Sequence, residues 1–291
     1  MTALRNTIPV LTILLAIVIG WYALTYVMNA PFQRDLDRRG GVTSTAGEFF
    51  VKTMTQPKPT LPAPHQVAQN FFENTFLRKV TSNRSLVYHA WVTLSATLLG
   101  FAFGTALGIA IAVGIVHVRT LDRSLMPWII TSQTIPILAL APMIIVVLAA
   151  IGIVGLIPKA LISTYLSFFP VAVGMVKGLR SPELTHLDLM HTYHASPAQV
   201  FWKLRVPASV PFLFTSMKVA VAASLVGAIV GELPTGAVAG IGAKLLTGAY
   251  YSQTIDMFSA LVAGSVVAIL LVSLVGLAGR IVERSMGARP A

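Results

Sequence analysis

Two stretches of this chain carry no Asp, Glu, Lys or Arg: Ala90 to Val116 and Met257 to Gly279. A third, Ser124 to Val176, is interrupted only by Lys159. A bilayer is crossed by a helix of roughly 20 apolar residues, so each run is long enough to span. In lipid every backbone N–H and C=O must be satisfied within the protein, and apolar runs of this length do so as helices. Composition agrees. Hydrophobic residues make up 55% of the 291 and charged residues 11%, with a mean hydropathy of +0.78, whereas a soluble domain carries about 25% charged residues. The chain reads as an all-α membrane protein.

About six transmembrane helices are predicted, near 8–28, 90–116, 124–150, 158–176, 208–231 and 257–279. The long third run is divided at Gly152-Ile153-Val154-Gly155-Leu156-Ile157-Pro158, and Lys218 interrupts the fifth span. The first span is longer than a signal-peptide core and lacks a following Ala-x-Ala site, so it reads as a retained anchor. Trp21, Tyr22 and Tyr26 near its far end suit an interfacial aromatic belt.

Charge sets the orientation. With the N-terminus cytoplasmic, inner segments hold Arg5, Arg119, Arg123, Lys177, Arg180, Lys203, Arg205, Arg280, Arg284 and Arg289, against Lys159 and Lys244 in the short outer ones. The basic balance therefore reflects topology, and nucleic-acid binding is not needed to explain it. With no cysteine, disulfides and thiolate chemistry are excluded.

Residues 30–89 form a long outer segment whose polar first half is expected to be irregular. Pro57-Lys58-Pro59-Thr60-Leu61-Pro62-Ala63-Pro64 is stiff and extended. Val67, Phe71 and Phe72 then predict a short amphipathic helix, lying on the membrane or packed on the protein's own outer face. Gly100, Gly104 and Gly108 recur every fourth residue, with Ala112 continuing the row, a spacing that lets helices approach closely in lipid. Pro127, Pro136 and Pro142 predict a bent third span.

Between the fourth and fifth spans lies a polar, helix-forming insert. Glu183 to Tyr193 predicts one helix, ending near His194. Ser196-Pro197-Ala198-Gln199 begins a second, with Ser196 as N-cap, Pro197 in the first helical position and Gln199 completing a capping box. This second helix is expected over about 197–205, with Val200, Phe201 and Leu204 on one face and Pro207 stopping it. The insert is longer than a simple connector and suits docking in a partner's groove.

Its spacing resembles the coupling loop of bacterial ABC importer permeases: Glu-Ala-Ala, three residues, Gly, nine residues, Ile-x-Leu-Pro. Asp188, Leu189 and Met190 stand at the Glu-Ala-Ala positions, His194 at the Gly, Leu204 and Val206 at the aliphatics and Pro207 at the Pro. The family glycine sits where a left-handed backbone is cheapest, and His194 is expected to adopt that geometry. Leu-Pro-Ala-Pro, the helix after it, and His89-Ala90-Trp91-Val92-Thr93-Leu94 leading to Leu99-Gly100-Phe101 resemble the nitrate/sulfonate/taurine branch.

The resemblance implies a type I ABC importer permease fold with a cytoplasmic helix-turn-helix coupling loop. The expected organisation is an anchor at 1–29, a periplasmic loop with a surface helix at 30–89, a permease core at 90–285 containing the coupling loop at 183–207, and a cytoplasmic tail at 286–291. It implies an inner-membrane location with both termini cytoplasmic. The implied partners are an ABC ATPase dimer, a second permease subunit and a periplasmic or lipid-anchored substrate-binding protein, in a setting of membrane lipids. ATP and magnesium would be held by the ATPase, since no Gly-x-x-x-x-Gly-Lys-[Ser/Thr] occurs here. The implied substrate is a small anionic or heterocyclic nutrient. Asp188, Leu189, Met190, His194, Val200, Phe201, Leu204 and Pro207 are the candidate coupling residues.

Glu232 ends the fifth span before a Gly-rich stretch. An acid at membrane depth faces a cavity or the protein interior, so it is the candidate outer gate, satisfied by backbone amides or by Lys244. His186, His191 and His194 lack the carboxylates or thiols of a metal shell, and no catalytic constellation is recognisable. The competing reading is an ATP-independent secondary transporter, but its inverted halves are not evident here.

Overall fold

A computed structural model describes residues 2–41, 43–234 and 237–286, with side chains from residue 8 onward. Most of the expected 286–291 tail, and Thr235-Gly236 of the Gly-rich stretch, lie outside the described residues. Twelve α-helices follow in order: α1 (Thr2–Gly40), α2 (Ala46–Met54), α3 (Pro64–Phe72), α4 (Leu86–His117), α5 (Arg119–Ser132), α6 (Ile137–Ala150), α7 (Leu156–Leu179), α8 (Leu184–Thr192), α9 (Pro197–Val200), α10 (Val206–Glu232), α11 (Ile241–Tyr250) and α12 (Thr254–Ser285). Among the described residues, five stretches are long and apolar enough to cross a membrane as single helices: Ile8–Gly40, Leu86–His117, Leu156–Leu179, Pro197–Glu232 and Thr254–Ser285.

The bend expected in the third span is sharper than a kink. The span predicted at 124–150 is two helices, α5 and α6, bent by 100°. Pro136 lies at the break as the N-cap of α6. A continuous helix would ask the Ser132 carbonyl to accept from the amide of residue 136, and proline has none. The Tyr165 hydroxyl of α7 donates to that carbonyl instead. Pro127 and Pro142 sit inside α5 and α6 without breaking them.

The described residues divide into two compact units. One comprises residues 1–89 and 244–263. Here α1 continues to Gly40 where an irregular loop was expected, so the boundary drawn at residue 29 falls inside a helix. Polarity alone does not break a helix, and no glycine interrupts 32–39. Asp37 is held by Gln33 one turn earlier (3.0 Å), by Ser44 (3.0 Å) and by Lys52 of α2 (3.8 Å). Gly41, at φ 63°, is the residue that turns the chain away.

The proline-rich stretch is fastened to α1. The Asn29 side chain both donates to the Leu61 carbonyl (2.9 Å) and accepts from the Leu61 amide (3.1 Å), and Trp21 donates to the Pro62 carbonyl (3.0 Å). Helix α3 packs on protein: Val67 is buried, its carbonyl accepts from Ser259 of α12, and Asn70 donates to Asp256 (2.9 Å). Of Val67, Phe71 and Phe72, only Phe72 remains exposed.

The second unit, residues 90–243 and 264–291, centres on α4, α7 and α10. Without a hydrophobic effect between helices in lipid, close packing and hydrogen bonds have to hold them. A Cβ on Gly100 would lie 2.7 Å from the Ala160 carbonyl, one on Gly104 3.0 Å from the Ser167 Cβ, and one on Gly108 2.7 Å from the Phe168 carbonyl. The glycine row thus lies directly on α7. Gly178 of α7 meets Ser209 of α10 in the same way, and Gly227 of α10 meets Ser163. Buried hydroxyls tie the three together: Ser163 donates to the Ser224 carbonyl (2.9 Å) and Ser224 to the Thr97 carbonyl (2.8 Å). Ala112, Ile115, Val171, Met175, Leu179 and Ala220 fill the adjoining core.

Candidate functional site

The insert between α7 and α10 is built by its caps. At the C-terminus of α8, His194 adopts φ 52°. Its amide donates to the His191 carbonyl (2.9 Å), and the Ala195 amide reaches back to the Met190 carbonyl (3.0 Å). Those two bonds make a Schellman closure with histidine in the place usually given to glycine. Ser196 then caps α9: its hydroxyl accepts from the Gln199 amide (3.3 Å), while the Gln199 side chain accepts from the Ser196 amide (2.8 Å). A reversal closed from both sides fixes the angle between the two helices.

Pro207 does not stop the second helix, contrary to expectation. Pro197–Glu232 is a single helical run of 36 residues. Its irregularity is a π-turn at Phe201–Arg205, where the Val206 amide reaches the Phe201 carbonyl five residues back. An inserted turn of this width relaxes the contact between a proline ring and the carbonyl four residues before it. The helix carries Pro207 in its first turn after the π-turn and continues to Glu232.

The candidate coupling residues fall into two groups. Asp188, Leu189 and His194 are exposed, and Met190 is half-buried. Val200, Phe201, Leu204 and Pro207 are half-buried against the chain itself. The Phe201 ring meets His117 edge-on at 4.8 Å, and Arg205 donates to the Leu179 carbonyl (3.0 Å). These four support the knob from beneath. Three residues that the motif passes over complete its outer surface: Leu184 at 78% exposure, Tyr193 at 76% and Trp202 at 67%. Large apolar side chains within a polar insert were the available signal. Helix α8 buries none of its residues.

At the other end of the 36-residue run, Glu232 is enclosed, with 0% exposure. Its carboxylate accepts from the Thr93 hydroxyl (2.9 and 3.0 Å) and from the Gly242 amide (2.8 Å). Thr93 in turn accepts from the Ile241 amide (2.8 Å). The first two amides of α11 therefore end on this pair, where a helix N-terminus welcomes negative charge. The cation beside it is Lys159 of α7, at 4.0 Å and 7% exposed, in the role expected of Lys244. Gly240, at φ 130°, lies so close that a Cβ there would collide with the carboxylate. Glu232 thus joins α4, α7, α10 and the start of α11 in one buried clasp.

Residues 104–288 match the family of binding-protein-dependent transport system inner membrane components. The formylaminopyrimidine transport permease ThiX of Halalkalibacterium halodurans is 30% identical over 64% of this chain and 69% of its own. The riboflavin transport system permease RibX of Chloroflexus aurantiacus is 30% identical over 78% and 81%. Permeases for nitrate in Synechocystis and, putatively named, for aliphatic sulfonates in Bacillus subtilis match at 25% and 24% identity. A chain of the MetNI methionine ABC transporter, solved in inward-facing conformations, superposes with a TM-score of 0.58 over 69% of this chain and 95% of its own at 20% identity, which places the fold with type I importer permeases. The chain belongs to the binding-protein-dependent transport system inner membrane components, as the non-catalytic permease subunit of an ABC importer whose ATPase is a separate chain.

Proposed function

We propose that the α8–α9 knob is the surface on which the ATPase docks, and that its movement reaches the Glu232 clasp through the 36-residue helix. The observation carrying this is that α8, nine residues long, buries none of them and presents Leu184, Leu189 and Tyr193 to solvent. Helices below about 12–15 residues are marginal in water without a packed face. A partner's groove supplies that face.

Asp188, Leu189, Met190 and His194, with Leu184 and Tyr193, make the contact; Val200, Phe201, Leu204 and Pro207 hold it at a fixed angle. ATP and magnesium bind the ATPase dimer. Its closure on ATP displaces the knob, and the shift carried along α10 opens the pathway to the outer side, where a binding protein delivers a small anionic or heterocyclic nutrient. A second permease, identical or paralogous, completes the pathway. Both termini and residues 183–207 face the cytoplasm, and residues 41–89 lie outside. Glu232 acts at the outer gate from within, by fixing where α10 ends.

Co-purification tests the docking. A tagged permease should retain its ATPase, and Leu189→Asp with Tyr193→Asp should lose it while inserting and running as a single species like the parent. Undiminished ATPase binding by the double variant would falsify the assignment.

A further inference from the structure

Of the cations within the apolar spans, Lys159 is paired with Glu232, and Lys218 has no ion pair or hydrogen bond among the described residues. Lys218 lies midway along α10, about 20 Å from both Arg205 and Glu232 at about 1.5 Å per residue. It is exposed. Its stem does not run along its own helix toward a membrane surface, as a lysine reaching for headgroups does. It crosses onto α12 at Gly276, where a Cβ would lie 3.2 Å from the Lys218 Cε and 3.8 Å from its Nζ. Gly279 against Phe214 continues that antiparallel contact and leaves the Gly276 surface bare for the lysine.

An ammonium at this depth has to face water or a counter-charge. The chain has ten acids: Asp35, Asp37, Glu48, Glu73, Asp122, Glu183, Asp188, Glu232, Asp256 and Glu283. Among them Glu232 alone lies toward the interior of a span, at the far end of α10 and already committed to Thr93, Lys159 and Gly242. An identical second copy would bring the same ten and no acid at this level. What is left to meet the ammonium is the water of a pathway and the solute that the water carries.

We propose that Lys218 is the anion-recognition group of the translocation pathway, so that the substrate crosses as an anion, a carboxylate, sulfonate or other oxyanion. This rests on the importer reading and narrows its substrate class. The α10 face bearing Pro211, Thr215 and Lys218 is then a wall of the aqueous path, and the bare Gly276 lets the amine lie back while the pathway is empty.

The absence of native cysteine allows a direct test. Thr215, one turn before Lys218 and exposed, is replaced by cysteine in the permease reconstituted in nanodiscs with its ATPase. Its thiol is titrated with the anionic ethylsulfonate and the cationic trimethylammonium methanethiosulfonates. A unit charge at one-turn distance should favour the anionic reagent about tenfold. The preference should vanish in Thr215→Cys with Lys218→Gln and return with Lys218→Arg. A ratio unchanged by Lys218→Gln would overturn the proposal. So would a Thr215→Cys thiol no more reactive than one at Ile13, 61% exposed on α1, because the face would then meet lipid. ATPase retention is scored on the same discs: its loss counts against the importer reading, while the charge ratio still decides Lys218.

Discussion

Two polar contacts between helices carry more than their size suggests. Glu232→Gln keeps one acceptor oxygen, shared by Thr93 and Gly242, but leaves the Lys159 ammonium, with its side chain 9% exposed, without its carboxylate. Removing one partner of a buried pair costs about 3 kcal/mol or more. Thermal unfolding in nanodiscs should show that loss, and adding Lys159→Met should recover most of it, because the stranded charge is gone. If the double variant is no more stable than Glu232→Gln, the two groups do not act as a pair. Tyr165→Phe removes the donor that satisfies the Ser132 carbonyl at the α5–α6 bend while keeping the ring beside Phe168. Leaving this part-buried carbonyl without its donor costs about 1 kcal/mol, so the same assay should register a small loss that Tyr165→Phe would not produce if the bend were held by packing alone.

At the scale of elements, the π-turn at Phe201–Arg205 decides how the knob is aimed. A π-turn absorbs one residue beyond the α-helix it interrupts, so a further residue inserted after Lys203 cannot be absorbed there and rotates the knob by about 100° relative to α10. Membrane insertion should be intact and ATPase co-purification lost, whereas Lys203→Ala, which keeps the turn, should behave as the parent. Retained binding by the insertion would show that the knob's orientation does not matter. This turn was not legible in the sequence. Pro207 reads as a stop because proline lacks the amide and crowds the carbonyl four residues back, and nothing local announces that an extra residue upstream relieves both. The capping signals were legible: Ser196, Pro197 and Gln199 act through near-neighbour bonds that the sequence spells out. His194 was legible through the same locality, since one residue's φ settles the closure. The helix through 30–40 is hidden by its charged residues, which resemble a loop although polarity does not break a helix and no glycine interrupts 32–39. The partner of Glu232 was missed because Lys159 is distant in sequence and only the packing of α7 on α10 brings it near. The outward side chains Leu184, Tyr193 and Trp202 escaped because the loop pattern names spacing and says nothing of exposure.

For the molecule as a whole, the proposed topology rests on the basic residues of the short loops, which predict a cytoplasmic knob and α12 end and an outer α1–α2 connection. Cysteine at exposed Thr43 should react with an impermeant thiol reagent on intact cells, and cysteine at Ser285 only after permeabilisation. The opposite pattern would reverse the topology and put the knob beyond reach of any ATPase.

The central claim is that force applied at α8–α9 arrives at the far end of α10. Val238, 82% exposed just past the Glu232 clasp, can report it through a Val238→Cys thiol. Its labelling rate is measured in nanodiscs carrying permease and ATPase, nucleotide-free and then trapped with ATP in a hydrolysis-deficient ATPase. A two-state shift of a few kcal/mol moves such a rate by about tenfold or more. The account predicts a change of that order on ATP binding, abolished by Leu189→Asp with Tyr193→Asp. Equal rates in the two nucleotide states, with the ATPase demonstrably bound, would contradict it.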